Sequence, residues 1–343
     1  MRLLFERLPS SSSAKILTSK EVVSLNQTES GVRVMCTDDS FYEGDIVIGA
    51  DGVRSAVRTL MLDSSGTGLT AQPSFLASQE PVPHMPEGYS STFQCIFGCS
   101  PKPEALPTGE MTDTQDGALA WQLLTTADLV VWFFYIRTDR TKTIWGNHSD
   151  EEMCFLAEKY LYHPVSENGA INFGDLWRTR KRAKLVDLEE GVLDKWHYGG
   201  RVVLVGDSAH KMTSNLALGA NNAMESAASL VNHLHALMQT GGSRSPDVTR
   251  LEAAFAAYQR ERHGRAVWNV RYCGAMLRYA GWLNGLLRVV CRFMTINSGD
   301  RFVADVVLPW ISRDCVVLNF VEEKHYRVGK IPWAEAGDGT KQA

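Results

Sequence analysis

Two glycine turns, each carrying a carboxylate beside the glycine, hold the residues best placed for chemistry. In Gly206-Asp207-Ser208-Ala209-His210 an acid follows a glycine, and further on Gly219-Ala220-Asn221-Asn222 opens what reads as a helix. A carboxylate at such a turn accepts hydrogen bonds from a polyhydroxylated chain, and the unpaired amides of a helix start, from Gly219 to Asn222, point at an anion. The pair suits a ligand with hydroxyls and a developing negative charge. Asp51-Gly52-Val53-Arg54-Ser55 is the other turn. There Gly52 permits close backbone approach, and the turn amides with Arg54 or Arg58 can meet phosphate charge. The alternative is that Asp51 only caps a helix and the arginines are solvated. His210 reads as a proton exchanger or as a hydrogen-bonded structural histidine, with the second favoured.

Strand ends and a helix start must position these groups. The run Arg201 to Val205, with three valines and glycines on both sides, predicts a strand buried on both faces that stops at Asp207. Asn222 can cap the following helix with Glu225 as its capping-box partner, and Ala223, Ala227, Leu230, Val231, Leu234 and Leu237 recur at helical spacing. Upstream, stretches 15–17, 21–25, 31–37 and 45–50 read as short strands, the last running into Asp51, and Ser10 to Ser13 as a loop. Thr92 to Phe97, Leu119 to Leu124 and Leu129 to Ile136 read as aromatic-rich strands. Ser149 and Glu152 form a capping box before a helix to Tyr162, and residues 248 to 280 follow a long helical pattern. The basic run Trp177 to Lys184 reads as a solvated face.

Gly206-Asp207 resembles the Gly-Asp motif, and Asp51-Gly52 the Asp-Gly motif, of FAD-dependent monooxygenases with the para-hydroxybenzoate hydroxylase fold, and the two occur in that family's order. The nearest resemblance is to fungal members of secondary metabolism that hydroxylate or epoxidise prenylated, terpenoid or polyketide-like metabolites. It implies FAD contacts at Gly206, Asp207, Gly219, Ala220 and Asn221, with Asp51, Gly52 and Arg54 near the pyrophosphate. It further implies NAD(P)H as co-substrate, O2, a flavin C4a-hydroperoxide as the oxygen donor, and a small apolar substrate beneath the middle sheet. Trp121, Trp132 and Phe134 become substrate candidates, although aromatics are enriched in any strand. No side chain is singled out as a catalytic base.

The implied fold class is α/β. An incomplete FAD-binding Rossmann-like domain occupies 1–65 and 186–245, and an inserted mixed β-sheet substrate domain occupies 66–185. A C-terminal helical segment over 246–330 and a flexible tail over 331–343 complete it. The Gly-x-Gly-x-x-Gly turn with which a complete member opens does not occur among these residues. Ser214, Ala217, Leu218 and Ser226 stand where relatives carry Pro, Gly, Gln and Asp. Two rival expectations follow: an inactive truncated paralogue or fragment that cannot hold FAD, and a non-catalytic membrane-surface or binding protein.

Lys and Arg number 35 against 39 acids, a net charge of −4, which gives no electrostatic case for nucleic acid. Seven cysteines without a Cys-x-x-Cys pair predict free thiols, with Cys95 and Cys99 in the core and no metal site. Met1 to Leu8 lacks a secretory pattern. The apolar region Ala280 to Met294 is interrupted by Asn284, Arg288 and Arg292, so it predicts peripheral membrane contact rather than a spanning helix. The expected location is cytoplasmic or membrane-associated.

Overall fold

A computed structural model describes residues 5–13, 15–28, 30–66, 84–116, 119–166, 169–239, 247–281, 285–286, 289, 305–306 and 308–321. The strands in chain order are β1 (Val22–Gln27), β2 (Val32–Cys36), β3 (Phe41–Gly44), β4 (Val47–Gly49), β5 (Ser90–Pro101), β6 (Met111–Asp116), β7 (Leu119–Thr125), β8 (Leu129–Lys142), β9 (Arg182–Val192), β10 (His197–Tyr198), β11 (Val202–Leu204) and β12 (His210–Lys211). The helices are α1 (Ala56–Gly66), α2 (Asp150–Glu158), α3 (Phe173–Arg178), α4 (Leu218–Gln239), α5 (Val248–Ala280) and α6 (Leu308–Ser312). The chain divides into two compact units, the first made of Met1–Glu80, Lys195–Ala209 and His233–Gln259, the second of Pro81–Asp194, His210–Asn232 and Arg260–Ala343.

In the first unit β1, β2 and β3 form an antiparallel meander, and a second sheet runs β10-β11-β4. β11 lies parallel to β4, with Val202 opposite Val47 and Leu204 opposite Gly49. All three residues of β11 are buried, as its apolar run predicts. Gly49 is required by packing: a Cβ there would lie 2.6 Å from Leu204 Cδ2 and 2.9 Å from Val57 Cγ1, so its absence lets α1 close onto the strand. Buried Arg201 donates to the carbonyls of Thr28 at 3.0 Å and Asp45 at 2.8 Å, tying the meander to the start of β11. Trp196, Phe255 and Tyr258 fill the core, and the Tyr258 hydroxyl donates to Leu204 O at 3.1 Å.

The second unit is built on a six-stranded sheet in the order β12-β9-β5-β8-β7-β6. Strand alternation divides its residues between two faces. On one, Trp121, Val130, Trp132, Phe134 and Ile136 pack with Met153 and Ala157 of α2 and Phe173, Leu176 and Trp177 of α3. The Trp132 indole donates to Ser100 Oγ at 2.9 Å, which satisfies its one polar atom inside that core. On the other, Phe93, Cys95, Ala120, Tyr135 and Leu188 pack with Leu277 of α5. The capping box before α2 forms, with Glu152 N donating to Ser149 Oγ and Ser149 N to Glu152 Oε2, each at 3.2 Å.

Several expectations are corrected. Ser10–Ser13 is a helical turn rather than a loop. α4 starts at Leu218, ahead of Asn222, because Asn222 spends its side chain on tertiary partners instead of capping. β9 crosses the expected boundary between 185 and 186 and pairs with β5, so all of it belongs to the second unit. Among the described residues six cysteines are free, and Cys95 and Cys99 are buried. No group that could ligate a metal occurs among the described residues, nor any helix long and apolar enough to cross a membrane. Most of Ala280 to Met294, and all of the tail 331–343, lie outside the described residues.

Candidate functional site

In the first unit the two acid-bearing turns lie side by side, because the parallel strands β4 and β11 deliver them to the same sheet end. Gly49 O accepts from Val205 N at 3.0 Å and from Ser208 Oγ at 2.6 Å. Arg58, 2% exposed, donates Nη1 to Ser208 O at 3.2 Å and Nη2 to Val53 O at 2.6 Å. It is therefore a strut between the turns and not a surface phosphate ligand. Asp51 takes the capping alternative: its oxygens accept from Ser55 Oγ and, at 3.0 Å, from Val57 N at the start of α1. Gly52 at φ +84 has nothing within 4 Å of where a Cβ would be, and Gly206 adopts φ +64. Both need the left-handed region that glycine reaches without strain. Asp207 is half-buried and Arg54 exposed. The result is a half-buried carboxylate and, at Gly52, an open backbone turn at the carboxyl ends of parallel strands, the end where open α/β sheets take up ligands.

Gly219, Ala220 and Asn221 belong to the second unit, in the first turn of α4, where amides have no intrahelical acceptor. The loop before them is anchored to the sheet. The Tyr135 hydroxyl donates to Gln122 Oε1 at 2.6 Å, and Gln122 Nε2 donates to Asn215 O at 3.0 Å. Asn215 Nδ2 reaches Cys273 O at 3.2 Å. Burial pushes the Tyr135 phenol far above its ordinary range, which keeps it a donor. Ala217, where the resembled family has glycine, is held left-handed at φ +53. A Cβ in that region costs about 1 kcal/mol. Ala217→Gly is therefore expected to stabilise the chain by up to about 1 kcal/mol, net of the extra freedom glycine gains when unfolded, as read from the urea midpoint.

Behind the first turn lies a buried polar network whose proton positions follow from one group. Arg262, 1% exposed, can only donate, and its Nη2 stands 2.6 Å from Asn222, so that atom is the amide oxygen. Asn222 Nδ2 then donates to His210 Nδ1 at 3.3 Å, and His210 Nε2 donates to Ser226 Oγ at 2.8 Å. His210 is thus a structural histidine with both nitrogens engaged. Glu225, expected in a capping box, instead accepts from Arg262 Nη1 at 2.8 Å and from Arg265 Nε and Nη2 at 2.6 and 3.0 Å. Burial alone would raise its pKa, but the Arg265 hydrogen bonds and the charges of Arg262 and Arg265 hold it below the usual carboxylate value.

The substrate candidates are corrected by the structure. Trp121, Trp132 and Phe134 all lie on the sheet face sealed by α2 and α3, at 4%, 0% and 0% exposure, so they are core. The face that carries the Asn215 anchor presents the half-buried Phe97 and Phe133, stacked at 6.1 Å, and Phe133 stacks on Tyr135 at 6.3 Å. Residue type alone does not tell the two faces of β8 apart: its odd positions Phe133 and Tyr135 lie on the face opposite α2 and α3.

Comparison with known proteins adds the following. The family described as FAD binding domain matches residues 1–271. The chain is 31% identical over 350 residues to the FAD-dependent monooxygenase janM of Penicillium janthinellum, covering 100% of this chain and 66% of janM. It is 33% identical over 275 residues to the FAD-dependent monooxygenase ausM of Penicillium brasilianum, covering 78% of this chain and 54% of ausM. The chain thus spans about half to two thirds of these relatives. Among solved structures, Klebsiella pneumoniae HpxO complexed with FAD and uric acid superposes with a TM-score of 0.58 at 22% identity, covering 83% of this chain and 64% of HpxO, a likeness of fold.

Proposed function

The chain belongs to the FAD-binding domain family, and on that footing we propose that it is the flavin-holding part of an FAD-dependent monooxygenase that hydroxylates or epoxidises a small apolar metabolite. The observation that carries the reading is the pairing of the Asp51 and Asp207 turns at the ends of β4 and β11. The residues fit the cofactor: a half-buried carboxylate can accept hydroxyl hydrogen bonds, and a glycine with open space over its α-carbon admits a pyrophosphate to backbone contact. Bound FAD would supply the chemistry, taking two electrons from NAD(P)H and passing one oxygen atom of O2 to the substrate while the other leaves as water.

The chain's own part is positioning. Asp207 would accept from the ribityl hydroxyls, and Arg58 keeps its turn against that of Asp51. Gly219, Ala220 and Asn221, in the second unit, present first-turn amides that suit a negative charge. Phe97 and Phe133 replace Trp121, Trp132 and Phe134 as the apolar wall for substrate. The likeness to the FAD-dependent monooxygenases janM and ausM, both from Penicillium, supports the monooxygenase reading, and a role in secondary metabolism is part of the proposal.

Visible absorbance of the purified chain after incubation with FAD and gel filtration tests the reading. Retained flavin is expected. Asp207→Ala should weaken FAD binding about 10- to 100-fold, the loss of a charge-assisted hydrogen bond or two, with the melting temperature nearly unchanged. A colourless protein that takes up no added FAD would reject the proposal for this chain.

A further inference from the structure

We propose that the cavity enclosed by the first turns of α4, the middle of α5 and residues 311–321 is a binding site for an apolar monocarboxylate. All of it lies in the second unit, and it encloses about 470 Å³. Met224, Ala228, Ile311, Val317 and Leu318 supply an apolar wall, while Arg265 and Glu225 mark the polar end. That shape suits a chain-like molecule with one polar head.

Charge decides which head. Glu225 is the one carboxylate on this lining, and it accepts hydrogen bonds from both Arg262 and Arg265. Arg262 lies off this lining and has Glu261 beside it, so the charge that a head group meets is that of Arg265. Cys315 adds no charge: burial pushes its thiol up to about 11, so near neutrality it is protonated, and its Sγ lies 3.2 Å from Glu225 Oε1 as a donor. Asp314 pairs with Arg313 at 3.3 Å, and Glu261 accepts from Ser229 Oγ at 2.8 Å while keeping its negative charge. Arg265 uses Nε and Nη2 on Glu225 and Cys315, while its Nη1 makes no hydrogen bond among the described residues. A partly buried guanidinium with an open nitrogen at the head of an apolar cavity is matched by a carboxylate, through a charge-assisted hydrogen bond, with an alkyl tail removed from water along the wall. A neutral head would accept a weaker hydrogen bond from Arg265, and a cationic head would be repelled by it. Asn221, assigned above to the flavin, also lines this cavity, so the test is run on the chain without added FAD and its failure is distinct from failure of the redox reading.

Decanoate, decanol and decylamine, titrated separately into the whole chain by calorimetry, test the proposal. Saturable binding of one decanoate is expected, about tenfold or more tighter than decanol, with no binding of decylamine. Arg265→Gln should bring decanoate down to the level of decanol. Val317→Trp, which fills the cavity from a half-buried position outside the ion cluster, should abolish binding of both while leaving the circular dichroism spectrum unchanged. Decanoate binding no tighter than decanol, decanoate binding that survives Val317→Trp, or no heat of binding up to millimolar ligand would each overturn the assignment.

Discussion

Replacing Arg262 by alanine is expected to lower the unfolding free energy by about 3–5 kcal/mol, the cost of stranding buried polar partners. The guanidinium bonds both Glu225 and Asn222. Without it, buried Glu225 keeps only Arg265 and Cys315 as partners, and the Asn222 amide loses the contact that fixes its orientation. His210 and Ser226 then lose the hydrogen-bond order that Asn222 imposes. Chemical denaturation of the variant reads the loss directly. Arg262→Lys should recover only part of it, because one ammonium cannot reach two acceptors with the planar fork of Arg. A loss below about 1 kcal/mol would mean that the network is incidental to stability.

Trp132→Ala is expected to cost a further large amount, about 3–5 kcal/mol for an aromatic removed from a closed core. The side chain is wholly buried among Phe134, Phe173 and Trp177, with ring contacts at 6.3, 5.4 and 6.1 Å, and donates to Ser100. The neighbouring Phe133→Ala should cost about 1 kcal/mol, in the range of a partly exposed residue, and on the proposed reading should raise the KM for an apolar substrate more than it lowers stability. The reverse pattern, a stable Trp132→Ala with altered substrate response, would return that residue to the site.

The contrast between positions 132 and 133 shows where the sequence was legible. Length, aromatic content and flanking turns marked β8 as a strand, and period two required that its neighbours part to opposite faces. Nothing local said which face would be covered by α2 and α3, and a one-residue choice of parity sends every side chain the wrong way. The buried run of β11, the capping box of α2 and the two glycine turns were readable because each depends on residues a few positions apart. The start of α4 was misplaced because Asn222 has the type of a cap while its partners, His210 and Arg262, come from elsewhere in the chain.

In the sequence Arg260, Glu261 and Arg265 surround Arg262, which locally suggests a charged helix side. A signal was nevertheless present. Phe255, Tyr258, Arg262, Ala266, Asn269 and Cys273 recur at three- and four-residue steps, and all are buried. A lone arginine on such a stripe asks for a carboxylate, which Glu225 supplies.

The Tyr135, Gln122 and Asn215 chain has a mechanical consequence. Its first two members project from the strands that carry the stacked aromatic face, and its last lies in the loop leading to α4. Pressure on that face and posture of that loop are therefore one coordinate rather than two. A ligand settling on the sheet face is expected to slow amide exchange at Ala217, read by hydrogen–deuterium exchange with and without that ligand.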